Sequence, residues 1–275
     1  MAFKSIGIIG LGLIGGSFAR AFCDRGLSVY GLDGCASTLA EAAQADIFQA
    51  LTDDIDQFLK MKPDLIYICV PVEATKAVLK TLYEKGVSTP VTDGASTKSS
   101  VCALAGKLGL NFCGGHPIAG REVSGFSASV NGLFDNAVHV LTPVAEGFPE
   151  DDLLALHEGI GMRVTVMTAD KHDLVFGSIS HLPHVTAFSL VEAVNQACPE
   201  AFSYTGGGFR DFTRIAASNP RMWTDIFLDN DKTVVELIDT YIDLLKSWRE
   251  DIADKNEEKI YKRIEEASSI RRSIK

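Results

Sequence analysis

The chain has 275 residues, enough for one large domain or two of ordinary size, and 46% hydrophobic with 23% charged content is an ordinary globular composition. A formal net charge of -10 and a pI near 5.1 exclude a general nucleic-acid or anionic-membrane surface, so an anionic ligand must be held by a few placed cations. The six cysteines, Cys23, Cys35, Cys69, Cys102, Cys113 and Cys198, form no C-x-x-C pair and read as reduced, buried small hydrophobes, not as zinc ligands or disulfides. The apolar opening MAFKSIGIIGLGLIGG is broken by glycine, too short to span a bilayer and without a small-residue cleavage site, which points to a cytoplasmic protein with no membrane partner.

The first predicted element is a short strand, Ile6 to Ile9, followed by glycines 10, 12 and 15 in G-x-G-x-x-G spacing and a helix from about Gly16 to Phe22. In that context the first glycine permits a tight turn, the second admits a pyrophosphate and the third lets helix pack on strand, with the helix N-terminus facing the negative charge. LSVYGLD reads as a second strand ending in Asp33, where an acid meets ribose hydroxyls. The candidate dinucleotide contacts are therefore Gly10, Gly12, Leu13, Ile14, Gly15 and Asp33, joined by Val70 and Pro71 at the end of the strand in DLIYICVPV. A carboxylate at position 33 accepts hydrogen bonds from a free 2′-hydroxyl and repels a 2′-phosphate, and no arginine follows it, so NAD is expected in preference to NADP. STPVTDGAST, AVHVLTP and MRVTVMT read as further strands, with helices at Glu73 to Glu84 and Asp151 to Gly159 between them. This alternation predicts an α/β N-terminal domain over residues 1–167, a Rossmann-type, mostly parallel, doubly wound sheet with helices on both faces. Its ligands bind beyond the carboxyl ends of the strands, where Pro71, Asp93 to Lys98 and the Gly115 to Gly120 loop all fall.

After Met167 the strand signal stops, and residues 168–275 are expected to form an all-α C-terminal domain. Thr168 or Asp170 caps its first helix, which carries Leu174, Ile179, Leu182 and Phe188 at helical spacing. Pro183 inside that pattern removes a backbone hydrogen bond and bends the helix, turning neighbouring side chains toward a cleft. Asn219 and Pro220 open another helix. The last long segment places Val234, Ile238, Tyr241, Leu245, Trp248 and Ile252 on one stripe, which suits pairing between two subunits in a homodimer.

Among the histidines, His139, His157 and His172 fall in a strand, a polar helix and a helix start and read as structural or solvated. His116 lies in a glycine-rich loop on the cofactor side of the sheet, where an imidazole can take a proton from a substrate hydroxyl as hydride leaves the same carbon. Ser180 and His184 are four apart on one helix face, as are Arg210 and Arg214, whose guanidinium groups make a plausible carboxylate site.

GLGLIGGSFA, TDGASTKSS, GGHPIAGREVSGF, SHLPH and DFTRIAASNPRMWTDIFLDN, in this order and at these intervals, resemble the prephenate and arogenate dehydrogenases of tyrosine biosynthesis over nearly the whole chain. The resemblance implies a Rossmann domain followed by a helical dimerisation domain, and NAD-dependent oxidative decarboxylation of a cyclohexadienol, prephenate or arogenate, with no metal. Carried over by motif, His116 accepts the proton of the ring C4 hydroxyl, and Ser96 binds that hydroxyl or orients the imidazole. Arg214 anchors a substrate carboxylate, Ser180 and His184 shape and polarise the pocket, and Trp223 stands near its mouth.

Two positions depart from the family pattern: Arg121 where relatives often carry a smaller residue, and Arg210 where lysine is common. Extra cations near the side chain favour the pyruvyl group of prephenate over the ammonium-bearing chain of arogenate. No chorismate mutase or regulatory segment is read in the chain, so inhibition by tyrosine is expected at the active site itself. A β-hydroxyacid dehydrogenase, the alternative enzyme, places a lysine and asparagine pair on the interdomain helix, and DKHDLVFGSISHLPH has no such pair after Lys171.

Overall fold

The computed structural model describes residues 3–121 and 123–274, so both chain ends, and Glu122 of the GREVSGF stretch, lie outside the described residues. Up to Val166 strands and helices alternate: β1 (Ser5–Ile9), α1 (Leu13–Asp24), β2 (Ser28–Leu32), α2 (Ala36–Ala43), β3 (Ala50–Thr52), α3 (Ile55–Lys60), β4 (Leu65–Ile68), α4 (Val72–Glu84), β5 (Val91–Asp93), α5 (Ser99–Leu108), β6 (Phe112–Ile118), β7 (Val138–Pro143), α6 (Glu150–Gly159) and β8 (Arg163–Val166). The elements that follow are α7 (Ala169–Phe176), a π-helical turn at Gly177–His181, α8 (Leu182–Ala197), α9 (Gly207–Thr213), α10 (Pro220–Asp229), α11 (Asp231–Ala253) and α12 (Glu257–Ser273).

Among the described residues the eight strands form one sheet in the order β3-β2-β1-β4-β5-β6-β7-β8, parallel throughout except where β6 pairs with β7. Successive residues of the central strands serve opposite faces, because side chains alternate across a strand. Ile6, Ile8, Leu65 and Tyr67 pack with Phe18 and Phe22 on one face, and Ile9, Ile66 and Ile68 pack with Leu79 and Phe112 on the other. The strand order reverses between β1 and β4, so the turns leaving these two strands open a crevice at the carboxyl edge.

Several elements differ from the sequence reading. Helix α1 starts at Leu13, directly after the glycine turn, and not near Gly16. Strands β3 and β6 were hidden by their brevity and their glycines, and β6 takes in His116, which is therefore a strand residue opposite Val140 and not a loop residue. Glycine is required there by crowding: a Cβ on Gly115 would lie 2.5 Å from the Asp93 carbonyl oxygen. Pro183 sits at the start of α8, immediately past the π-helical turn, where the widened backbone accommodates its missing N–H. Cys35 is exposed at the N-terminus of α2, so the expectation of burial fails for it, and only Cys102 and Cys113 are fully buried.

In the helical half, Thr168 is the N-cap that accepts from Lys171, and Asn219 caps α10 through Met222. Of the expected stripe on α11, Val234 is buried, Ile238, Tyr241 and Trp248 are half-buried, and Leu245 and Ile252 are exposed, so that face is only partly covered within one chain. The continuous helical stretch Ala169–Ala197 is long and apolar enough to cross a membrane by length and composition alone, with only 22% of its apolar window buried. It packs against α5 and α11 and carries polar side chains of the site described next.

Candidate active site

The glycine turn is built from close backbone approach. A Cβ on Gly15 would stand 1.9 Å from the Gly10 carbonyl oxygen, and Gly10 itself has φ +94°. At Gly12 a Cβ would meet nothing within 4 Å, so this position is open on the side a ligand would take. Helix α1 begins there without a side-chain cap or an acidic residue in its first turn, which leaves its N–H groups available to an anion. Asp33 accepts the N–H of Leu11 at 2.7 Å and of Cys35 at 2.8 Å, one on each carboxylate oxygen, and has lone pairs to spare for hydroxyl donors.

Two cavities meet at the carboxyl edge of the sheet. The first, about 410 Å³, is lined by Gly12, Leu13, Ile14, Val70, Pro71 and Ser96, with His116 and Arg121. The second, about 800 Å³, is lined by Ser180, His184, Arg214 and Trp223, again with His116 and Arg121. His116 thus stands in the wall between a cavity made by the sheet edge and one made largely by the helical half. Gly10, Gly15 and Asp33 underlie the first cavity without lining it, and Arg210 lines neither.

Strong local ties hold this wall. Asp93, at the end of β5, accepts the N–H of Ala95 and of Gly115, each at 3.0 Å, and pairs with the Lys98 ammonium, which also donates to the Gly115 carbonyl at 2.9 Å. Both charged side chains are fully buried, a costly arrangement that is stable only because each partner's hydrogen bonds are made. Their effect is to clamp the loop holding Ser96 to the strand holding His116.

His116 is half-buried, its ring edge-on to Phe176 with centroids 5.0 Å apart and its Nδ1 2.7 Å from Nε2 of His172. Burial, then the neighbouring His172, Lys98 and His181, push its pKa well below the ordinary imidazole value, so the ring is neutral near pH 7. A neutral imidazole shared by the two cavities has the protonation state a proton acceptor needs.

His184 is oriented by a 2.9 Å bond from Nδ1 to the Ser180 carbonyl and stacks on Trp223 with centroids 3.5 Å apart. Trp223 is buried and lines the second cavity, and among the described residues its Nε1 has no hydrogen-bond partner. Such a donor fits a ligand acceptor. Arg214 opens the 3-10 turn after α9 and is exposed along the second cavity.

The sequence reading gave His172 and Asp173 no part in the site, and placed Asp93 to Lys98 at the crevice without finding the buried ion pair they form. His172, taken as structural or solvated, is fully buried and touches His116; His157, placed in a polar helix, is fully buried with its Nε2 3.1 Å from the Tyr67 hydroxyl. The adjacent His-Asp pair, one turn into a helix that follows the sheet, was the available signal for the first.

Residues 18–166 match the nucleotide-binding domain of prephenate dehydrogenase, and residues 168–266 match its dimerization domain. The chain is 35% identical to a cyclohexadienyl dehydrogenase of Zymomonas mobilis, an alignment covering 99% of this chain and 97% of the relative. It is 32% identical to a prephenate dehydrogenase of Bacillus subtilis over 96% of this chain and 74% of the relative. Its fold superposes on a crystal structure of prephenate dehydrogenase from Aquifex aeolicus, in complex with hydroxyphenyl propionate and NAD+, with a TM-score of 0.94 and 34% identity, covering 100% of this chain and 99% of the other. With the two family domains matched in order over residues 18–166 and 168–266 and a relative 35% identical along almost its whole length, the chain belongs to the prephenate dehydrogenase family.

Proposed function

We propose that the protein catalyses NAD-dependent oxidative decarboxylation of prephenate to 4-hydroxyphenylpyruvate, with residues 1–167 holding the dinucleotide and residues 168–275 the substrate and a second subunit. The observation that carries this reading is His116, neutral and shared by a cavity with a dinucleotide-type glycine turn and a cavity with Arg214 and His184. The dinucleotide, when bound, supplies the hydride acceptor.

Gly12, Leu13, Ile14, Val70 and Pro71 hold the dinucleotide against the sheet edge, the uncapped start of α1 meets its pyrophosphate, and Asp33 receives its ribose hydroxyls and disfavours a 2′-phosphate. His116 accepts the proton of the substrate's C4 hydroxyl as the carbonyl forms, and Ser96 steadies that hydroxyl. Loss of the ring carboxylate as carbon dioxide then aromatises the ring, and its bonding pair ends on the C4 oxygen, which takes back the proton from His116. Aromatisation drives the reaction, so the side chains mainly position groups and compensate charge. Arg214 anchors a substrate carboxylate, with Trp223 Nε1, Ser180 and His184 completing the second cavity.

Arg121, at the edge of both cavities, adds a cation that favours a pyruvyl side chain over one bearing an ammonium group. A second reading, dual use of prephenate and arogenate, is favoured by likeness to the Zymomonas cyclohexadienyl dehydrogenase. Arg210 is exposed and lines neither cavity, so this scheme gives it no contact with the substrate. Exposed Leu245, Ile252, Ile264 and Ile270 on α11 and α12 support a homodimer.

The test is formation of reduced nicotinamide by purified protein given NAD or NADP with prephenate or arogenate. The reading expects NAD and prephenate to give the highest kcat/KM, and arogenate turnover of equal efficiency would establish the dual reading instead. No turnover by folded, NAD-binding protein would refute both.

A further inference from the structure

We infer that His172 and Asp173 are positioning residues that fix His116 as the Nδ1–H tautomer, so that its bare Nε2 is the atom left to receive a proton. The inference deepens the proposed base role of His116 and rests on that reading for its functional consequence. It joins the two halves of the molecule, because His116 lies on β6 whereas His172 and Asp173 lie on α7.

The chain of bonds runs from Asp173 inward. Its carboxylate accepts the backbone N–H of Lys98 on Oδ1 and of Ser99 on Oδ2, each at 2.8 Å, and His172 Nδ1 lies 2.8 Å from Oδ1. These bonds outweigh burial and hold the Asp173 pKa below the ordinary carboxylate value, so the group is an anion and only accepts. His172 must therefore carry its proton on Nδ1 to donate. Burial lowers the His172 pKa as well, which keeps that ring neutral and leaves its Nε2 a bare acceptor. The 2.7 Å contact with His116 Nδ1 is then a hydrogen bond only if His116 donates.

Both members of the device are buried, His172 fully and Asp173 to 3% exposure, so water does not substitute for either bond. The charged and titratable groups facing the pair are Asp93 and Lys98 from the β5 to α5 side, Asp173 on α7 itself and His181 from the π-helical turn. Lys98 is compensated by Asp93 in direct contact, which leaves the Asp173 carboxylate to offset the charge that develops when His116 takes a proton. Phe176, packed on both rings at 4.6 and 5.0 Å, restricts their rotation out of line.

The experiment is a long-range proton–nitrogen correlation spectrum of the full-length protein labelled with 15N-histidine, at a pH where the rings are neutral, with the His116 signals assigned by their loss in His116→Asn. The expected spectrum has His116 protonated on Nδ1 and bare on Nε2, and His172→Phe converts it to a mixture of tautomers. In parallel, kcat of His172→Phe falls on the order of 100-fold with KM little changed. His172→Gln, whose amide oxygen accepts from His116 and whose NH2 donates to Asp173, recovers about tenfold of that loss, as one tautomer is restored. A wild-type His116 protonated on Nε2, or a His172→Phe variant within about twofold of wild-type kcat, overturns the proposal. If His172→Phe does not fold, the wild-type spectrum and that of Asp173→Asn decide it. Near wild-type turnover in His116→Asn sinks the base reading separately, because the tautomer is read from the spectrum without reference to activity.

Discussion

The two cavities that share His116 are built by opposite means. The sheet-edge cavity rests on backbone: a glycine turn too tight for side chains, a helix start without a cap, and main-chain N–H groups on Asp33. The helical cavity rests on side chains drawn from β6, the π-helical turn, α8 and α10, held by ring stacking and single hydrogen bonds. A backbone-built site fails through shape, whereas a side-chain-built site fails through charge and protonation.

Gly15→Ala should break the first kind most severely. Its Cβ would lie 1.9 Å from a backbone oxygen that cannot swing away, so a stability loss of about 5 kcal/mol or more is expected, read by denaturant titration. Retention of wild-type stability would show that the turn relaxes. The second kind should break on acidification. Burial lowers the pKa of His181, in the π-helical turn, from 6.5 to about 4, and pushes that of His116 well below the ordinary imidazole value. Each buried imidazole thus binds its proton more weakly in the folded state than in the unfolded chain. This contribution to stability is intact above pH 6.5 and falls as the pH drops toward 4, by about 3 kcal/mol for His181. Urea midpoints that stay constant across this window would contradict the burial argument.

Smaller effects sharpen the contrast without unfolding either region. Arg214→Gln should lower kcat/KM by roughly 30-fold, about 2 kcal/mol, through KM for the carboxylate substrate. An unchanged KM would remove Arg214 from substrate binding. Gly12→Ala should leave the denaturation midpoint unchanged, since the new methyl meets no protein atom within 4 Å, and weaken dinucleotide binding by about tenfold, or 1.4 kcal/mol. Equal losses of stability and binding would mean that Gly12 serves the fold and not the ligand.

The same contrast explains what was legible in the sequence. Glycines 10, 12 and 15 followed by a helix, and an acid ending the next strand, are local signals, and they locate the sheet-edge cavity because its makers are contiguous. Pairs at helical spacing, Ser180 with His184, were legible for the same reason. The link from His172 to His116 spans 56 residues and exists only through the packing of α7 on β6 and α5, so spacing carries no trace of it. The burial of His157 is of this kind too: its helix is acidic at the start, and only the fold turns that residue inward to Tyr67. Strand β6 was obscured because Gly114 and Gly115 read as loop, whereas the structure uses them to admit Thr142 and Asp93 to close contact.

The central claim is that His116 performs chemistry at the junction of the two cavities and does not merely hold them together. The most direct test pairs the dinucleotide Kd, from isothermal titration, with kcat for prephenate in wild-type protein and His116→Asn. The account predicts an unchanged Kd with kcat lowered by at least about 100-fold. A variant that binds NAD normally and turns over at near the wild-type rate would contradict it.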